Sequence, residues 1–389
     1  MGRPRYQTVV TGVHKRFMRV AVLWTKLSGY LSRSLRSLQA KGAALLIVND
    51  AATADAPFDE AEFAWIERRH RYVGKPEFAT VMGLLESFQP DVILATWHIP
   101  AYQRACATFR GRAVRVGCAD NQWRGTLKQQ VGRLTSAIHL HRFYDAMFVT
   151  GERQAVWARR MGYAEDRIWK GLYTCDVDAF AKFPASLSRP DKTFLYAGRL
   201  SKEKGIEILR RSYELYRRDC RDPWPLVIAG DGPLLPEVQA VRGVDWKGFV
   251  QPSQLPLLLA EASCFVIAST FEPWCVALHE AASAGLPIIC TSECGAAVHL
   301  VQDGYNGYLV SPNSVHEMVR AMERITAVPA AKLAEMGRRS SELAKQFTPD
   351  RWSTCVLEKT QEFGRLRKKM SFAGNDDCVP PQALSHTAE

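Results

Sequence analysis

The sequence contains no apolar run approaching the roughly 20 residues that a bilayer-spanning helix needs. The segment from Met1 to Arg19 is basic and has no apolar stretch of the kind that marks a secretory signal. Ten cysteines are present, yet none forms a C-x-x-C pair and none has companion histidines at zinc spacing. Cys290 and Cys294 come closest, and a lone C-x-x-x-C is a weak metal signal. Others, such as Cys264 in Cys-Phe-Val-Ile-Ala, sit in strand-like runs where a free thiol behaves as a small apolar group. Reduced structural thiols and a cytoplasmic location are therefore expected. Basic residues are not interleaved with stacking aromatics apart from Trp123-Arg124, so no nucleic-acid partner is expected.

What is present is a chain of 389 residues, 47% hydrophobic and 23% charged, long enough for two domains with separate cores. Its formal charge of +11 is unevenly placed. Residues 1–186 hold 27 Lys and Arg against 16 Asp and Glu, whereas residues 187–389 hold 24 of each. The first half thus carries the whole excess. It suits an anionic membrane surface, a phosphorylated or acidic substrate, or merely a solvated basic face.

Short β-branched runs alternate with amphipathic stretches, the pattern of parallel α/β sheets. In the first half, strands are expected at 20–24, 44–49, 91–96, 113–118 and 146–150, with helices at 27–41, 78–88, 126–139 and 153–161. A polar, proline-broken segment at 187–192 reads as a linker. The pattern then restarts, with strands at 194–198, 226–229, 244–247, 264–268, 287–291 and 307–310. Helices are expected at 206–216, 253–261, 276–284 and 315–324. The reading is an N-terminal extension over 1–17, one Rossmann-like domain over 18–186 and a second over 193–349. A C-terminal helix over 350–370 and a disordered tail over 371–389 complete it.

Four segments carry the chemistry. In Tyr196-Ala-Gly-Arg-Leu-Ser-Lys-Glu-Lys-Gly205 a buried strand ends at Gly198 and a helix opens near Gly205. Ligands of parallel sheets bind beyond the strand carboxyl ends, which is this turn. Arg199 and Lys204 sit there beside a helix N-terminus, where cations are unfavourable unless an anion joins them. Gly230-Asp231-Gly232 follows the strand 226–229, and glycine there permits close backbone approach to a ligand. Gly248-Phe249 makes another strand-end turn, a place for a base to stack. Last, Phe271-Glu272-Pro273-Trp274-Cys275-Val276-Ala-Leu-His-Glu280 sets one glutamate in a loop and another one turn into the next helix. Loop amides, helix N-terminus and both carboxylates can then address one polyhydroxylated ligand.

In this order, the four segments resemble the family-four retaining glycosyltransferases of GT-B fold. Gly285-Leu-Pro-Ile-Ile and Asp303-Gly-Tyr-Asn-Gly307 extend the similarity, which covers about 193–312 and is thin before that. The resemblance implies two Rossmann-like domains facing a cleft, with a UDP- or GDP-linked sugar as donor substrate and no other cofactor. It implies that Arg199 and Lys204 bind the diphosphate, that Glu272 holds the transferred hexose and that Glu280 holds the ribose hydroxyls. Gly198, Gly230, Asp231, Gly232, Gly248, Phe249, Pro273, Trp274, Cys275 and Val276 would line the donor site. Trp97-His98-Ile-Pro100 looks like the family's His-x-Pro element, and His98 would meet the sugar from across the cleft. No metal is expected: Asp176-Val-Asp178 lies away from these motifs and reads as a turn. A leaving diphosphate can instead be stabilised by two cations and a helix N-terminus.

The sequence departs from the family pattern at three places. Trp274-Cys275 stand where a glycine or small residue is usual, which is expected to reshape the sugar pocket. His299 stands where a glutamate is common, and the paired glycines after the first strand appear only as Ser28-Gly29-Tyr30. The alternatives are another GT-B nucleotide-sugar enzyme (an epimerase or inverting transferase) and a catalytically silent binding protein. The expected acceptor is a glycan, free or lipid-linked, met by the basic half at an anionic inner membrane face.

Overall fold

A computed structural model describes residues 17–51, 60–187 and 191–373. The expected N-terminal extension, save Phe17, and the expected tail beyond residue 373 lie outside the described residues. The β-branched runs of the first half form β1 (Arg19–Leu23), β2 (Ala44–Asp50), β3 (Arg69–Tyr72), β4 (Val92–Thr96), β5 (Val114–Ala119), β6 (Ala146–Val149) and β7 (Ile168–Lys170). They pair in the order β3-β2-β1-β4-β5-β6-β7, with every ladder parallel. The second half gives β8 (Phe194–Ala197), β9 (Leu226–Ala229), β10 (Val244–Trp246), β11 (Cys264–Ile267), β12 (Ile288–Thr291) and β13 (Gly307–Val310). These are also parallel, in the order β10-β9-β8-β11-β12-β13.

Alternation along the first-half strands explains both layers of core. Val20, Val22, Ile47, Val92 and Leu94 face one way, onto Leu31, Leu35 and Leu38 of the helix Gly29–Ala40. Ala21, Leu23, Val48, Ile93 and Ala95 face the other, onto Val81 and Leu85 of the helix Phe78–Phe88 and Tyr102 of the helix Pro100–Thr108. Both faces being covered, the strands read as continuous apolar runs rather than alternating ones.

The chain changes halves twice. Cys175, Phe180 and Leu187 already pack in the second core, so it has crossed before the 187–192 segment expected as linker, of which 188–190 lie outside the described residues. The final helix, Pro349–Ala373, returns to the first half, running three residues beyond its expected end. Trp352, Val356 and Phe363 enter the first core there, and Trp352 Nε1 donates to Leu172 O at 3.2 Å. Ser37 and Ser353 hydroxyls bond at 2.8 Å, and Lys41 pairs with Asp350 at 2.8 Å.

In each sheet the chain order reverses between two neighbouring strands, β1 and β4 in the first and β8 and β11 in the second. The connections leave those strands on opposite sides and open a crevice beyond their carboxyl ends. The two sheets meet at these ends. Gln122, after β5, donates to Glu272 O at 3.1 Å, and Gln154, after β6, donates to Pro273 O at 2.6 Å. No helix among the described residues is long and apolar enough to cross a membrane.

Candidate active site

After β8 the chain turns through Gly198 to Gly205. Gly205 has φ +67°, and a Cβ there would collide with the carbonyl oxygen of Ala268, so only glycine lets the helix Ile206–Asp219 start against the end of β11. That close approach sets Lys204 beside the loop after β11, where its Nζ pairs with Glu272 Oε2. Burial alone would lower the Lys204 pKa, but the adjacent Glu272 carboxylate outweighs it and the net shift is upward. Lys204 is therefore a cation at neutral pH. Arg199 differs: its guanidinium is exposed, and its ion pair with Glu203 is long at 3.7 Å. It remains free to meet an anion.

The Glu272 loop is clamped along its backbone. Glu272 O accepts from Gly295 N at 2.9 Å and from Gln122, while Trp274 O accepts from Ala296 N at 2.7 Å. The clamp ends at Cys275, whose φ of +81° is unusual for a residue with a side chain and costs on the order of 1 kcal/mol. Such a conformation persists only where its surroundings over-determine it. Cys275 caps the helix Val276–Ser283, whose first backbone N–H groups have no partners within the helix and suit an anion.

Glu280 lies one turn into that helix, half-buried, with no hydrogen-bond partner for its carboxyl among the described residues. Burial pushes the carboxyl up to about 8, which favours the protonated form that can donate as well as accept. The first half places Tyr30 close to it. Burial raises the Tyr30 hydroxyl to about 12, with the Asp120 and Glu280 carboxylates adding to the effect. Tyr30 and Tyr173 pack edge to face at 5.3 Å, and Tyr173 donates to Asp120 Oδ2 at 3.0 Å. Sequence reasoning missed Tyr30, Asp120 and Tyr173, because nothing in their local spacing links three residues so far apart.

Beyond β9 and β10, Gly230 lies against Gly198 so closely that a Cβ would strike the Gly198 carbonyl. Gly230 N donates to Gly248 O at 2.7 Å, and Trp246 Nε1 donates to Gly230 O at 2.8 Å. Asp231 accepts from Gly232 N at 2.7 Å. Trp246 and Phe249 stand half-exposed beside this turn. Gly198, Gly230, Asp231, Gly232, Gly248 and Phe249 thus gather along one rim, next to Arg199.

Other expected residues lie elsewhere. His98 is exposed on the turn after β4 with its ring edge-on to Trp97 at 5.8 Å. It makes no hydrogen bond or ion pair with the second half among the described residues, although it stands at the first-sheet crevice. The Trp274 side chain does not shape an open sugar pocket. It is buried against Phe347 at 4.9 Å and His299 at 5.8 Å, and a Cβ on Gly151 would come within 2.7 Å of it. Residue 274 thus packs into the seam between the halves, just before the left-handed turn at Cys275. His299 is a strut of that seam, its Nε2 accepting from Glu152 N at 3.0 Å. Burial lowers its pKa, which keeps the accepting nitrogen unprotonated. Asp176 caps the short helix Val177–Ala181 by accepting from Ala179 N at 3.2 Å and pairs with Arg33 at 3.3 Å. Among the described residues no three His, Cys, Asp or Glu side chains gather where they could hold a metal ion.

Known proteins are similar to this chain in sequence over part of its length and in fold over most of it. Residues 179–343 match the family described as glycosyl transferases group 1. An alpha-D-kanosaminyltransferase of Streptomyces kanamyceticus is 30% identical over 41% of this chain and 41% of its own. The O-antigen chain mannosyltransferase B of Escherichia coli is 28% identical over 54% of this chain and 57% of its own. The chain thus matches about half the length of these curated relatives. Among solved structures, a glycosyltransferase from Rickettsia africae ESF-5 superposes with a TM-score of 0.70 at 12% identity, covering 90% of this chain and 99% of that one. Anabaena Alr3699/HepE in complex with UDP and glucose gives 0.67 at 17% identity, covering 89% and 100%. The chain has the GT-B fold, and its residues 179–343 are similar to the glycosyl transferases group 1 family.

Proposed function

We propose that the protein is a retaining, metal-independent glycosyltransferase that moves a hexose-type sugar from a UDP- or GDP-linked donor to a glycan or lipid-linked acceptor. The observation that carries this reading is the Lys204–Glu272 ion pair, which joins the loops after β8 and β11 across the second-sheet crevice. It sits beside the exposed Arg199 and the N-terminus of the helix Val276–Ser283. In transfer, the bond from the anomeric carbon to the diphosphate oxygen breaks with its electron pair on the phosphate. An acceptor hydroxyl oxygen bonds that carbon from the same face, and its proton passes to the departing phosphate. The charge that builds on the diphosphate is met by Arg199, Lys204 and the helix amides, which cost no reorganisation at that moment. Glu272 holds sugar hydroxyls, and Glu280 holds the ribose. The complex of Alr3699/HepE with UDP and glucose supports a nucleotide-sugar donor by analogy of fold. The +11 excess over residues 1–186 favours an acceptor carried at an anionic membrane surface.

The test is a panel of UDP- and GDP-sugars, with product followed by NMR. An α-linked donor should give an α-linked product, and the rate should survive excess chelator. An inverted anomer would move the protein to an inverting or other GT-B chemistry. A requirement for magnesium or manganese would remove the metal-independent reading.

A further inference from the structure

After β5 the chain forms the helix Leu127–Leu134, which runs on through a wider turn at Ala137–His141. Thr126 caps it by accepting from Gln129 N. No residue of the helix Leu127–Leu134 is buried. Three of its apolar residues, Leu127, Val131 and Leu134, are nevertheless spaced for one face at i, i+4 and i+7, and Ile138 follows in the wider turn. They are 81%, 54%, 78% and 68% exposed. A stripe of large apolar side chains standing together in water marks an interaction surface.

The charge around the stripe says what it would meet. Between Asn121 and Tyr144 there is no acidic residue, while Arg124, Lys128, Arg133 and Arg142 are all basic. Lys128 and Arg133 lie on the helix itself, exposed and without an acidic partner among the described residues. A two-fold contact with a second copy would bring these like charges face to face, which is unfavourable. An apolar stripe bordered by unpaired Lys and Arg suits instead an anionic bilayer, with apolar side chains in the interface and cations at the headgroups.

We propose that the face of 127–138 is the element by which this protein docks on an anionic membrane. The proposal deepens the acceptor part of the reading above and rests on it for its purpose, though not for its physics. The segment is also tied to the cleft. Gln122 bonds Glu272 O, and the Arg124 guanidinium lies over the Phe271 ring at 5.0 Å. Docking there would hold the mouth of the cleft next to the surface that presents a lipid-linked acceptor.

The experiment is co-sedimentation with phosphatidylglycerol–phosphatidylcholine vesicles and with pure phosphatidylcholine vesicles, at low and high salt. The intact chain should bind the anionic vesicles at low salt, lose them as salt rises and ignore the neutral ones. Leu127→Gln with Leu134→Gln, and separately Lys128→Glu with Arg133→Glu, should each weaken binding at least tenfold. Nucleotide-sugar turnover with a soluble acceptor should stay unchanged, which separates docking from catalysis. Anionic binding equal in both variants, or absent from the intact chain, overturns the proposal. So does a dimer in sedimentation velocity that the leucine variants dissolve, since the stripe would then belong to a second copy. Docking without turnover would remove the transferase reading and leave the surface assignment standing.

Discussion

The two halves of this molecule are built on one strand order, and they use it differently. Each places a reversal between its first and fourth strands, and each aims that crevice at the other half. In the second half the loops at the crevice are glycine-rich and ion-paired: Gly205 brings Lys204 to Glu272, and Gly230 packs on Gly198. In the first half the equivalent loops carry Ser28-Gly29-Tyr30 and Trp97-His98, with aromatic rings where the second half has close backbone contacts. The second half is electrically balanced and the first holds the +11 excess. Topology supplies a crevice twice, and the loop residues give the two crevices different linings, one of close backbone contacts and one of aromatic rings.

The sharpest way to break that contrast is Lys204→Ala. Losing a preorganised cation from a site that stabilises a leaving oxyanion costs about 2.7–4 kcal/mol of barrier, so turnover should fall about 100- to 1,000-fold. Glu272 would be left mostly buried without its cation, so the melting temperature should fall as well. Single-turnover donor cleavage, scaled to the folded fraction, separates the two effects. Arg199→Ala should cost less, at least tenfold in turnover with no change in melting temperature, because its side chain is exposed and its one ion pair is long. Near-normal rates in both variants would erase the special standing of the second half. His98→Ala probes the other crevice. With no hydrogen bond or ion pair tying His98 to the second half among the described residues, the expected loss is smaller, about tenfold in kcat, with KM for the donor little changed. A loss as large as that of Lys204→Ala would make the halves equal contributors.

How far this could be seen in the sequence follows the same division in part, since the second-half helix Ala330–Ala344 was not expected either. The second-half strands and the helix 276–284 were legible because apolar runs end in glycine turns, a local signal. The first-half edge strands were not. Arg69-His-Arg-Tyr72 has no apolar pattern, since β3 lies at the sheet edge and its stability comes from pairing with β2. Ile168-Trp-Lys170 is three residues long, too short for any periodicity. The helix Pro100–Thr108 hides behind a histidine-proline motif, although proline at its first position is a start signal. At the site, Lys204, Glu272 and the glycine turns were readable from spacing. The backbone clamps by Gln122, Gln154 and His299, and the Tyr30–Asp120–Tyr173 group, were not, because each joins residues distant in sequence. The strain at Cys275 was half visible: a non-glycine stood where glycine is usual, but only the structure shows that Trp274 packs into the seam just before it.

The smallest expected effect is a pH slope written by two neighbours on one helix. His279 is buried, its Nε2 3.1 Å from Ala344 O, and burial lowers its pKa to about 4. An unfolded histidine titrates near 6.5, so the folded state binds fewer protons than the unfolded one between pH 4 and 6.5. Its stabilising contribution is complete above pH 6.5 and is lost as pH falls through that window. Glu280 runs the other way. Its folded pKa of about 8 stands above the unfolded carboxyl value, so the folded state binds more protons from about pH 4.5 to pH 8. Stability from this residue is complete below that window and is lost as pH rises through it. Between pH 6.5 and 8 His279 is neutral in both states, and of this pair only Glu280 tilts the curve. Glu280→Gln keeps the shape of the side chain and removes the titration. Its melting temperature should therefore be flatter than wild type from pH 6.5 to 8.5 and higher by a few degrees at the upper end. Equal slopes in the two proteins would mean that Glu280 is already ionised at neutral pH. In that case it would meet a ligand only as an acceptor, like the carboxylate of Glu272.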